Sequence, residues 1–109
     1  MNNFANQDQM VGIKEEKKYI SNIYRKLFGI VVYKSWGEIF ELELMLNNLN
    51  FSTIIELGTG FGATAVFLGA HSFSTKAKVF TFDNKEMATE QTKLLFCALD
   101  VRYSIIDIF

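Results

Sequence analysis

The sequence predicts an α/β domain built on a short parallel sheet, and three observations carry that prediction. From Thr53 to Ile106, short β-branched runs alternate with stretches of helical periodicity, in the order strand–helix–strand–helix–strand. A glycine-rich turn stands at the first strand-to-helix junction. Half of the 109 residues are hydrophobic and 15% are aromatic, far too apolar a composition for a disordered chain.

The elements follow in order. Residues 1–9 are polar and are expected to fray. From Met10 to Leu27 the pattern is helical, with Ile13, Ile20, Ile23, Tyr24 and Leu27 near one face and Glu15 to Lys18 on a solvated one. Gly29 is placed to end that helix as a C-cap glycine. Gly29 to Lys34 reads as either a small strand or an extended linker. Ser35-Trp36-Gly37-Glu38 has the spacing of a capping box, in which the Ser hydroxyl and the Glu carboxylate satisfy each other's backbone amides. The helix that follows should run to Asn48. Ile39, Phe40, Leu42, Met45, Leu46 and Leu49 should be its buried side, with Trp36 in the core or as a staple. Then come a strand at Thr53–Leu57, a helix from Gly62 to His71, a strand at Lys78–Phe82, a helix from Glu86 to Ala98 and a strand at Val101–Ile106. Met87, Gln91, Leu94, Leu95 and Ala98 supply the apolar spacing of the last helix. His71 is expected at the surface of a helix end, and Cys97 as a buried structural thiol. Consecutive parallel strands imply right-handed crossovers. The organisation expected is an N-terminal helical segment, residues 1–34, followed by the α/β unit, residues 35–109.

Composition removes several classes of function. A net charge of −1 provides no field to steer the chain to nucleic acid or to an anionic membrane. Charge or glycine breaks every long apolar run, and none approaches the roughly 20 residues of a membrane span. The first dozen residues lack the apolar core of a secretory leader. A single cysteine allows no internal disulfide, so a reducing, cytoplasmic location is expected. With no proline, caps and glycines must set the helix ends. No nucleophile, general base or metal-ligand cluster stands out.

The chemistry-bearing segment is Glu56-Leu57-Gly58-Thr59-Gly60-Phe61-Gly62, between a strand and a helix. Gly58 and Gly60 allow a tight turn and let the backbone approach a ligand without Cβ interference. The amides at the start of the next helix can meet a carboxylate or a phosphate. The G-x-G-x-G spacing, with an acid two residues before the first glycine, differs from the G-x-G-x-x-G of a dinucleotide fingerprint. It suits a smaller cofactor with an amino-acid end. Asp83 closes the second strand and is followed by Asn84. An acid there lies at the carboxyl edge of the sheet, where it can accept both hydroxyls of a ribose. Asp107 follows the third strand at the same edge and could accept from an exocyclic amine. The alternative for each acid is to cap the next helix or to face water; the ligand reading is favoured for Asp83, and for Asp107 the two are balanced.

Glu56 to Gly62 resembles motif I of the class I S-adenosylmethionine (SAM) dependent methyltransferases, and Asp83 resembles their ribose-binding acid. IIELGTGFGATAVFLG followed by KVFTFD is similar to small-molecule O-methyltransferases and to the cephalosporin-hydroxylase-like group. The resemblance covers roughly residues 35–109. It implies a three-layer Rossmann-like methyltransferase fold, truncated here to about three parallel strands with N-terminal helices. It also implies SAM as cofactor and a small-molecule methyl acceptor in the complete protein. Gly58, Thr59 and Gly60 would lie against the methionine part, Glu56 would orient the amino group, Asp83 would bind the ribose and Asp107 would contact the adenine amine, with Gly62 and Asn84 also in the cofactor site.

In that family a fourth strand lies beside the first, and later helices cover the second face of the sheet. The chain is expected to stop before those parts and before the catalytic residues. The first two strands are nevertheless apolar on both sides. Leaving three or four such side chains wet forfeits about 1.5–3 kcal/mol each, against a typical stability of about 5–15 kcal/mol. A homo-oligomer, or a partner chain over the open face, is therefore expected. Two other functions stay open: a NAD- or nucleotide-binding Rossmann domain, and a truncated assembly or regulatory module without catalysis.

Overall fold

The computed structural model describes residues 25–107. It is an α/β structure in which, among the described residues, a three-stranded parallel sheet follows a small hairpin and a helix. Residues 10–24 of the helix expected at Met10–Leu27 lie outside the described range. Its last two residues are not helical: Lys26–Leu27 form strand β1, which pairs antiparallel with β2, Ile30–Val31. Gly29 is not a helix C-cap either. Phe28 and Gly29 lie at φ 57° and 75°, the left-handed pair that a two-residue hairpin turn requires.

Helix α1, Trp36–Asn48, begins with the capping box that the sequence predicts. The Glu38 amide donates to Ser35 Oγ at 3.1 Å, and the Ser35 amide donates to Glu38 Oε1 at 3.2 Å. Its inward face is narrower than expected. Leu46 is buried and Leu42 packs against the same core, whereas Phe40, Met45 and Leu49 are exposed. Trp36 is also exposed, at 40%, rather than in the core, because it shares the outward face with Phe40 and Leu44 at four-residue spacing.

The sheet is formed by β3 (Thr53–Leu57), β4 (Lys78–Asp83) and β5 (Val101–Ile105), in that spatial order, all parallel. Helix α2 (Ala63–Thr75) and helix α3 (Glu90–Ala98) make the two crossovers. Both lie on one face. Ile54, Val79 and Val101 share a row of that face and pack with Val66, Leu68 and Phe96. The opposite face carries Ile55, 62% exposed, and Leu57, 66% exposed, beside Phe80 and Phe82. Arg102 and Ser104 continue that face onto β5, as the alternation of the third strand predicts.

Three local differences from the sequence reading have simple causes. Helix α2 runs past His71 to Thr75, where Lys76 at φ 63° caps it through its amide to Ser72 O at 2.7 Å. Helix α3 starts at Glu90 rather than Glu86, because the Thr89 side chain accepts from the Thr92 amide and sets the N-cap there. Cys97 is exposed, not buried. The inward residues of α3 are Thr92 and Phe96, and Cys97 is turned about 100° from Phe96 around the helix.

Helix α2 approaches β5 closely at Gly69. A Cβ there would stand 2.5 Å from Val101 Cγ2 and 3.1 Å from Leu99 Cβ. Gly69→Ala should therefore destabilise the fold by about 1–3 kcal/mol, despite alanine's better helix propensity. Urea denaturation of the two proteins measures this; equal midpoints would show that the packing there is loose.

Candidate functional site

Strand β3 and the turn after it place five of the nominated residues: Glu56, Gly58, Thr59, Gly60 and Gly62. β3 delivers Glu56 on the covered face, and the chain then turns through Gly58 (φ 97°), Gly60 (φ 56°) and Gly62 (φ 100°) into α2. At Gly58 and Gly60 an added Cβ would meet nothing within 4 Å, so the surface of the turn is open. Their positive φ, rather than lack of space, calls for glycine. Gly62 differs. A Cβ there would stand 2.7 Å from Phe96 Cζ and 2.8 Å from Thr92 Cγ2, so the turn can enter α2 only because this residue leaves room for α3.

The turn is tied to β4. The Gly58 and Thr59 amides donate to Phe82 O at 2.7 and 3.2 Å, and the Gly62 amide donates to Thr59 O at 3.0 Å. The Gly60 amide donates to Asp83 Oδ2 at 2.8 Å. The other oxygen of that carboxylate accepts from the Asn84 amide at 2.7 Å and, at a long 3.4 Å, from the Lys85 amide. Asp83 is buried, 8% exposed. Hydrogen bonds from the amides, that of Gly60 foremost, hold its carboxyl below the usual carboxylate range against the opposing effect of burial.

A second link runs beneath the turn. Thr59 Oγ1 lies 2.6 Å from Thr81 Oγ1, and Thr81 Oγ1 donates to Glu56 Oε1 at 2.7 Å. Thr81 has one hydroxyl proton and gives it to Glu56, so Thr59 must donate to Thr81. Sequence reading missed Thr81, although it sits in phase with Val79 and Asp83 on the inward side of KVFTFD; a polar residue in that phase is the signal. Glu56 is half-buried, and burial pushes its carboxyl up, partly offset by the Thr81 hydrogen bond.

The remaining nominated residues reach the same rim. Asn84 directly follows β4 and is exposed. The Ile106 amide donates to Asp83 O at 2.8 Å, which ties the end of β5 to the end of β4; Asp107, the next residue, is exposed. A cleft of about 160 Å³ lies over the turn, lined by the segment Val31–Lys34 as well as by Glu56 and residues 58–64. Tyr33 and Phe61 face each other across it with ring centroids 5.9 Å apart. The N-cap Gly62 offers α2 no side-chain hydrogen bond, so the first-turn amides of that helix point to the rim without intrahelical partners. Among the described residues, no group of three or more His, Cys, Asp or Glu could hold a metal ion. Nor is any described helix long and apolar enough to cross a membrane.

No protein-family model, curated protein or solved structure matches the chain.

The two acids should act on stability with opposite signs. The depressed carboxyl of Asp83 contributes stability above the unfolded aspartate range, lost as pH falls through the lower folded value. The raised carboxyl of Glu56 costs stability once the unfolded glutamate ionises, fully so above its folded value. At neutral pH, Asp83→Asn should thus lose about 1.5–3 kcal/mol, whereas Glu56→Gln should be neutral or stabilising. Denaturant titrations at pH 7 and pH 3 check this; a Glu56→Gln protein weakened as much as Asp83→Asn would contradict the assignment.

Proposed function

We propose that this domain binds S-adenosylmethionine, as the cofactor-holding part of a methyltransferase that in complete form acts on a small molecule. One observation carries the reading: the open glycine turn is hydrogen-bonded directly to Asp83, so bare backbone and a carboxylate share one rim of the sheet. The residues present suit such a cofactor. The first-turn amides of α2 can take the methionine carboxylate. Glu56 lines the same cleft and can accept from the amino group. Asn84 and Asp107 follow the ends of β4 and β5 at the same rim and are exposed, so they can meet the nucleoside end.

Asp83 sets a limit on the fit. A carboxylate offers about four acceptor directions, and two short amide bonds plus a long third engage this one. One ribose hydroxyl can be accepted at Oδ2 without disturbance, and a second only if the 3.4 Å contact from Lys85 yields. The cleft of about 160 Å³ is also below the roughly 300 Å³ at which ligand pockets begin. It holds the amino-acid end, and the nucleoside then lies along the open rim. In methyl transfer such a site acts by holding donor and acceptor in line. A non-catalytic assembly module is the alternative that the exposed apolar sheet face favours.

Calorimetric titration with S-adenosylhomocysteine should show saturable binding, and NAD should show none. Asp83→Ala should weaken binding about tenfold or more, since a charge-assisted hydrogen bond is worth roughly 1.5–3 kcal/mol. No heat from S-adenosylhomocysteine, with the fold intact by circular dichroism, would reject the reading.

A further inference from the structure

We propose that the outward stripe of α1 docks on the uncovered sheet face of a second copy, so that the chain associates head to tail. The two surfaces are complementary in shape and in charge. On the sheet, Ile55, Leu57, Phe80 and Phe82 form an apolar patch flanked by Lys78 and Arg102, and no carboxylate belongs to the strand residues of that face. Arg102 lies over the Phe80 ring at 5.3 Å, which sets its charge against the β5 side of the patch. On the helix, Trp36 (40% exposed), Phe40 (64%) and Leu44 (45%) form one stripe turned away from the inward Leu46. At about 100° per residue, Glu41 and Glu43 flank the stripe on opposite sides. Helix α1 carries no Lys or Arg.

Charge decides between the possible pairings. Two sheet faces brought together would gather the cations of both copies with no carboxylate from the strands of either face, and two stripes would gather glutamates with no cation from either helix. Only stripe against sheet sets apolar on apolar with carboxylates beside cations. The lengths agree, about 12 Å from Trp36 to Leu44 against about 13 Å along β3. A helix over an apolar parallel sheet is the packing that such sheets demand on both faces. The contact is made in trans, because Leu46 packs α1 into its own core and leaves Trp36, Phe40 and Leu44 pointing outward. Each copy then has one donor and one acceptor surface, which gives a ring or an open chain instead of a two-fold dimer.

Sedimentation of the full chain tests this. The wild type should show a mass above 12.5 kDa that rises with concentration and falls with added salt. Phe40→Glu on the helix and Ile55→Glu on the sheet should each sediment as a 12.5 kDa monomer. Mixed one to one, they should form a heterodimer of twice that mass, since each retains the surface that the other lost. Phe40→Gln with Ile55→Thr should complement in the same way, and serves if a glutamate variant loses the wild-type circular dichroism. A wild type that stays monomeric, whether its stripe is covered by residues 1–24 or left bare, overturns the proposal, as does a mixture of folded variants that remains monomeric.

Discussion

The Asp83 carboxylate is the constraint on which the rim of this sheet depends. It closes β4 and reaches across to the Gly60 amide of the turn after β3, while its own carbonyl takes the amide of Ile106 after β5. The ends of three strands are thus fixed to one residue. The short charge-assisted bonds explain why a buried acid is tolerated there with no ion pair among the described residues: main-chain amides replace the water it loses. The turn can meet Asp83 because Gly58 and Gly60 occupy backbone regions closed to most side chains.

Beneath that rim the second acid is held on different terms. Glu56 takes one hydroxyl proton, from Thr81, and is otherwise disfavoured as an anion by burial. Two carboxylates in one site thus have their ionisation pushed apart, one down by amides and one up by desolvation. Such a pair is more common at functional rims than in purely structural cores. The hydroxyl relay from Thr59 to Thr81 to Glu56 also couples the outer turn to the inner acid, so the protonation of Glu56 and the orientation of the Thr59 hydroxyl are linked.

The fold is one-sided. Helices α2 and α3 and the inward residues of α1 cover one face, and the other is left with Ile55 and Leu57 mostly exposed. Edge and face coincide at β3, which pairs only with β4 among the described strands. The outward stripe of α1, apolar and flanked by glutamates, matches what that face lacks, and the proposed head-to-tail contact follows from this match.

The strand and helix order, the capping box at Ser35 and the convergence of Glu56, the glycine turn and Asp83 were legible in the residues. Strand alternation, cap chemistry and the position of residues at strand ends are local or topological properties, and a parallel sheet brings its carboxyl ends together whatever the side chains do. The tertiary structure alone decided which apolar residues are inside. Trp36, Phe40, Cys97 and Leu94 are all hydrophobic and helical, yet all are exposed, because helix orientation against the sheet is fixed by a few contacts such as Leu46 and Phe96. The role of Thr81, the room for α3 at Gly62 and the tight approach at Gly69 were equally hidden. Each depends on an atom more than ten residues distant in sequence, and only packing reveals what such a residue meets.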